Sequence, residues 1–117
     1  MKTILLVNND FDTMSLIKRW LEIKGYKVRF TDSRREALRL MKECKPSLVI
    51  IDILQHVVLF DIKAQREFDH VPILLMTGYT STYTPKKLPA DDSIEKPFDL
   101  PLFERKIKAL LDHKVEA

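Results

Sequence analysis

The 117-residue sequence predicts an α/β fold, a doubly wound parallel sheet in one domain over 1–117. Three observations predict it. Wholly apolar runs recur at 4–7, 48–51 and 73–76, the pattern of strands buried on both faces. Stretches with helical periodicity lie between them, most opened by a capping residue. Strands and helices alternate, which implies parallel neighbours, right-handed crossovers and helices on both sheet faces.

The elements follow in order. Ile4-Leu5-Leu6-Val7 is the first strand and stops at Asn8. Asp12 is expected to cap a helix over about 13–24, with Leu16, Ile17, Trp20 and Leu21 inward and Gly25 as its stop. Val28 and Phe30 alternate with Lys27, Arg29 and Thr31, as in an edge strand. Ser33-Arg34-Arg35-Glu36 is a capping box. It opens a helix carrying Ala37, Leu38, Leu40 and Met41, which ends before Pro46.

Leu48-Val49-Ile50-Ile51 is the most apolar strand and runs directly into Asp52. A weaker helix follows over 57–68, and Ile73-Leu74-Leu75-Met76 is another buried strand, ended by Thr77-Gly78. Residues 79–92 hold Pro85 and Pro89 and predict loop. Ser93-Ile94-Glu95 is a short strand before Lys96-Pro97, a candidate cis bond. Asp99, with Pro101 just inside, starts a last helix with Leu102, Phe103, Ile107, Leu110 and Leu111 inward.

Composition narrows the function. Lys and Arg number 20 against 17 acidic residues, a net +3 too small to imply nucleic-acid binding. One cysteine excludes an intrachain disulfide and a Cys-based zinc site. Two glycines leave no glycine-rich phosphate loop. Apolar runs of about four residues are too short for a membrane span, so a soluble, cytoplasmic protein is expected.

In parallel α/β sheets the working site lies at the carboxyl ends of the strands. Those ends carry Asn8-Asn9-Asp10, Asp52, Thr77 and Lys96. Asp52 is expected to emerge where the sheet meets solvent. A carboxylate there can attack phosphorus, a lysine can neutralise it, and a threonine hydroxyl can donate to a phosphoryl oxygen. Each residue alone reads more simply as an ion pair or a strand cap; three at three strand ends favour a site.

Four segments carry a family resemblance: Ile4 through Asp10, Lys45-Pro46 through Asp52, Pro72 through Gly78, and Glu95-Lys96-Pro97-Phe98. In that order they resemble a response-regulator receiver domain of two-component phosphorelay signalling, over essentially the whole chain. The resemblance implies a flavodoxin-like five-stranded parallel sheet in the order 2-1-3-4-5 with five helices. It implies that Asp52 is the phospho-acceptor, Thr77 the hydroxyl that senses the phosphoryl group and Lys96 the matching lysine. It also implies a magnesium site at positions 8 and 9, completed by the backbone carbonyl of Leu54.

The departures from that pattern shape the expected function. Asn8 and Asn9 stand where the family has an acidic pair, so two of the three surplus positive charges trace to one crevice. Magnesium favours hard, usually carboxylate, oxygen ligands. Its binding is therefore expected to be weak or absent, with Asn8 and Asn9 free to bond to Asp52 or Lys96. Asp10 is the candidate substitute ligand for the metal, although it matches a position usually turned away from it. Ser93 stands at the aromatic switch position, Ile53 to Val57 lacks the usual Met-Pro and Asp-Gly pairs, and the fourth helix, over 80–90, looks eroded.

The expected function is a divergent receiver-like module, or pseudo-receiver. It would signal through protein contacts with Asp52 phosphorylation lost or strongly reduced. The alternative is a working phospho-acceptor with atypical magnesium binding. Expected partners are proteins, such as a histidine kinase or phosphotransfer protein, and not nucleic acid or membrane. An independent enzyme fits poorly: Leu54 occupies the position of a phosphatase's second acid, and no hydroxyl-rich loop follows the first strand. His56 reads as a surface loop residue, Cys44 as structural and Trp20 as core. Lys86-Lys87 and Arg105-Lys106-Lys108 read as solvated faces, and Tyr79 with Tyr83 as a weak candidate contact loop.

Overall fold

The computed structural model describes residues 1–78, 88–97 and 99–112. Five strands, β1 (Thr3–Val7), β2 (Lys27–Thr31), β3 (Leu48–Asp52), β4 (Ile73–Gly78) and β5 (Asp92–Lys96), form one sheet in the order β2-β1-β3-β4-β5. Every pairing is parallel. Among the described residues four helices cover it: α1 (Phe11–Ile23), α2 (Arg34–Cys44), α3 (His56–Lys63) and α4 (Leu100–Asp112). The fifth helix implied by the resemblance is not among the described residues. Most of the stretch over 80–90, expected to be eroded, lies outside them, as do Tyr79, Tyr83, Lys86 and Lys87.

Strand alternation divides the core into two layers. Leu5, Val7, Val49, Ile51, Ile73 and Leu75 face α2 and α3, packing on Ala37, Leu40, Met41, Val58, Leu59 and Ile62. Ile4, Leu6, Ile50, Leu74, Met76 and Ile94 face the other way, onto Ile17 and Leu21 of α1 and Phe103, Ile107 and Leu111 of α4. Arg34 pairs with Asp61 and ties α2 to α3.

Local chemistry sets the helix ends. Asp10, not Asp12, caps α1: its carboxylate accepts from the Thr13 N–H at 3.2 Å and the Thr13 hydroxyl at 2.7 Å. Both aspartates suit a cap by type; the Asp10–Thr13 spacing decides. At the other end, the Gly25 N–H donates to Glu22 at 3.0 Å and the Tyr26 N–H to Leu21 at 3.1 Å. That closure needs a left-handed residue, and Gly25 supplies it at φ 100°. Ser33 caps α2 through the Glu36 N–H at 3.2 Å. Glu36 does not close the box directly; it accepts from the Thr31 hydroxyl, which in turn accepts from the Ser33 N–H. Thr31 is thereby buried, against its reading as the polar side of an edge strand. Asp99 caps α4 through the Leu102 N–H at 2.8 Å.

Four further expectations change. The helix expected over 57–68 is divided between α3, which ends at Lys63, and a 3-10 turn at Arg66–Phe68, and another 3-10 turn at Ile53–Gln55 precedes it. His56 thus opens a helix and does not sit in a loop. Leu16 points outward at 72 % exposure, while Met14, Ile17 and Leu21 face the core. With Ile23, Trp20 and Leu100, Leu16 lines an open apolar groove between α1 and α4. Trp20 is half-buried, stacked on Phe103 at 5.6 Å, with the Lys24 ammonium 5.6 Å from its ring.

The Asp10 cap has a pH signature. The Thr13 hydroxyl and N–H, and more weakly the Lys96 charge, hold the Asp10 carboxyl below its ordinary value. A carboxyl depressed by folding adds stability above its unfolded pKa, and that stability is lost as pH falls through the folded value. Asp10→Ala is therefore expected to lower the melting temperature at neutral pH, with the gap to wild type closing in the acid range. Melting curves across pH check it; a gap independent of pH contradicts the assignment.

Candidate functional site

The crevice forms where β1, β3, β4 and β5 end. Parallel strands share a direction, so their carboxyl ends meet at one edge of the sheet, and the chain order reverses between β1 and β3.

Asp52 is the last residue of β3. All five residues of that strand are buried, and Asp52 with them, at 2 % exposure. The expectation that its side chain emerges into solvent is thus corrected. The chain turns immediately into the Ile53–Gln55 3-10 turn, and Lys96 reaches over from β5. One carboxylate oxygen, Oδ1, accepts from Lys96 Nζ at 2.7 Å; the other, Oδ2, accepts from the Leu54 N–H at 2.9 Å and caps that turn. Lys96 ends β5, opposite Gly78, and keeps a third of its side chain exposed. A buried charge is tolerable when paired and hydrogen-bonded, and both conditions hold here. The Lys96–Pro97 bond is cis.

Thr77 lies on β4, one residue past Met76, which pairs with Asp52. It is buried. No hydrogen bond joins its hydroxyl to Asp52 or Lys96 among the described residues. The structure therefore unites Asp52 and Lys96 and sets Thr77 at the neighbouring strand end.

Asn8, Asn9 and Asp10 behave differently from one another. Val7 pairs with Ile51, so the next residues along, Asn8 and Asp52, sit at adjoining strand ends. Asn8 is 1 % exposed, and its Oδ1 accepts from the Asp10 N–H at 2.7 Å. Its Nδ2 is buried with no hydrogen-bond partner. The expected bond from Asn8 to Asp52 or Lys96 is not made: the amide oxygen accepts from the Asp10 N–H, and Nδ2 reaches no acceptor. Asn9 is exposed. The Asp10 carboxylate is committed to Thr13 as the α1 cap. Leu54 enters the crevice through its N–H, while its side chain is 76 % exposed. Among the described residues no three His, Cys, Asp or Glu side chains gather as a metal-holding group.

The remaining candidates lie outside the crevice. Ser93 is on β5 opposite Leu75, half-buried, with no ring to bury or expose. The exposed His56 ring sits 3.2 Å from the Ile53 carbonyl and edge-on to Phe60. Cys44 ends α2 and accepts a 3.1 Å bond from Arg29. In the α4 basic cluster, Lys106 pairs with Asp92 and Lys108 with Glu104, as a solvated face would. No described helix is long and apolar enough to cross a membrane. Sequence reasoning passed over Thr13, whose signal was its three-residue spacing from Asp10.

A doubly wound parallel sheet in the order β2-β1-β3-β4-β5 defines the flavodoxin-like class of α/β domain. The model for the response regulator receiver domain matches residues 4–108, and the chain belongs to that family. It is similar to the transcriptional regulatory protein PrrA of Mycobacterium leprae, 30% identical over 114 residues, 92% of this chain and 49% of PrrA. The chain thus spans about half that relative's length. It is also similar to the polar-differentiation response regulator DivK of Brucella ovis, 28% identical over 94% of this chain and 96% of DivK. Among solved structures, the receiver domain of a Syntrophus aciditrophicus histidine kinase superposes with a TM-score of 0.86 at 24% identity. That superposition covers 100% of this chain and 95% of the other, and it bears on the fold alone.

Proposed function

We propose that this receiver domain works as a pseudo-receiver, signalling through protein contacts with Asp52 phosphorylation lost or strongly reduced. The observation that carries the reading is the state of the crevice oxygens. The side-chain oxygens of Asp52, Asn8 and Asp10 each already accept an internal hydrogen bond. Asn8 and Asn9 bring no charge, and the Asp52 charge is met by Lys96. A divalent cation asks for anionic oxygens in near-octahedral array, and this donor set does not fit one. Phosphoryl transfer without that cation loses its main source of charge stabilisation.

The partner class is a histidine kinase or phosphotransfer protein, met by this domain as a signalling protein and not as an enzyme. Nucleic-acid and membrane contacts are not part of the proposal, and a cytoplasmic location is. One observation favours a second reading, a working phospho-acceptor with atypical magnesium binding: Asp52, Thr77 and Lys96 occupy three adjacent strand ends.

Treatment with a small phosphodonor and magnesium separates the two. Intact mass is expected to show little or no adduct. Stoichiometric labelling that vanishes in Asp52→Asn would establish the second reading.

A further inference from the structure

α1 carries a second pattern on the side away from the sheet. Met14, Ile17 and Leu21 point into the core. Asp12, Leu16, Arg19 and Ile23 recur at helical spacing on the opposite side and form one stripe along it. All four are exposed. Beside the stripe runs the apolar groove, walled by Trp20 and by Leu100 of α4. Large aliphatic side chains left to water beside an apolar groove mark a surface that another molecule covers.

The charges on the stripe indicate what covers it. Neither the Asp12 carboxylate nor the Arg19 guanidinium has a partner among the described residues, whereas Lys18 and Lys24 on the same helix pair with Glu22 and Glu104. Asp12 and Arg19 stand about 10 Å apart along the helix axis, with Leu16 between them. A surface of one sign rejects its own copy. This one is neutral, acidic at one end and basic towards the other. Turned about a two-fold axis, it presents Arg19 to Asp12 and Asp12 to Arg19, with Leu16 against Leu16 in the middle.

We propose that the outer face of α1 is a self-association surface, on which a second copy of this chain lays its own α1 antiparallel. The two Leu16 side chains meet at the centre, two Asp12–Arg19 ion pairs flank them, and Ile23 and the groove wall lie at the margins. Two 13-residue helices side by side make a small interface, so the pair is transient and fills at high concentration. The inference goes beyond the reading of the crevice, because it uses none of the residues assigned there.

The test is analytical ultracentrifugation of the whole chain at low salt, over roughly 10 μM to 1 mM. The average mass is expected to rise with concentration towards that of a dimer. Leu16→Glu, at a side chain 72 % exposed, is expected to stay monomeric with an unchanged melting temperature. Asp12→Arg and Arg19→Asp each set like charges together at both flanking contacts. Each is expected to self-associate roughly tenfold more weakly than wild type. Mixed in equal amounts, these two variants bring opposite charges together at both contacts and are expected to pair at least as well as wild type. Recovery on mixing also shows that both variants are folded. A wild-type chain that stays monomeric across the range overturns the proposal and leaves the groove to a different protein. Dimers that survive Leu16→Glu, or charge variants that gain nothing on mixing, overturn it as well.

Discussion

Lys96→Met is expected to cost on the order of 2–3 kcal/mol of stability, measured as the shift in a urea or guanidinium unfolding midpoint. The variant strips the counter-charge from a carboxylate whose side chain is 3 % exposed. Removing one partner of a fully buried pair costs about 3–5 kcal/mol. The lower figure applies because a third of the Lys96 side chain meets water. The loss is a large share of a small domain's total stability of roughly 5–15 kcal/mol. Adding Asp52→Asn to Lys96→Met removes the stranded charge and is expected to recover much of the loss. A double-mutant cycle measures that coupling. If the two single effects simply add, the pair is not the element that stabilises the crevice.

Asn8→Asp with Asn9→Asp is expected to raise magnesium affinity at least tenfold and to make stability depend on the ion. Position 8 is buried beside Asp52, so a carboxylate there places like charges together in a site already shielded from water. Without magnesium the double variant is expected to unfold at lower denaturant than wild type. With magnesium at about 100 times its dissociation constant, linkage returns roughly 2.7 kcal/mol. Wild type is expected to show little change in midpoint on adding the ion. Calorimetric titration and paired unfolding curves read both effects. Equal magnesium affinity in the two proteins would show that charge at these positions does not govern the site.

The strands were the most legible part of the sequence. Ile4 to Val7, Leu48 to Ile51 and Ile73 to Met76 are apolar without a break, the pattern of strands buried on both faces of a parallel sheet. The site positions followed from the same runs, since each strand hands its next residue to one edge of the sheet. Helix detail was less legible. Asp10 and Asp12 are equally good caps by type, and the choice rests on which one Thr13 can reach. Leu16 lies near the edge of the apolar stripe, and its exposure is set by how α1 rolls against α4. The burial of Asp52 was illegible because it depends on a lysine 44 residues away. The unpartnered Asn8 Nδ2 was hidden for a related reason: sequence shows that an amide is present, and only the fold shows which end of it is satisfied.

Trp20, the chain's single tryptophan, stacks on Phe103 across the seam between α1 and α4 and borders the open groove there. The molecule therefore carries its own optical reporter. Emission excited at the indole comes from one place, where the first and last helices meet over the sheet. A change in that emission during unfolding reports the parting of the chain's two ends, and any molecule settling into the groove announces itself without a label.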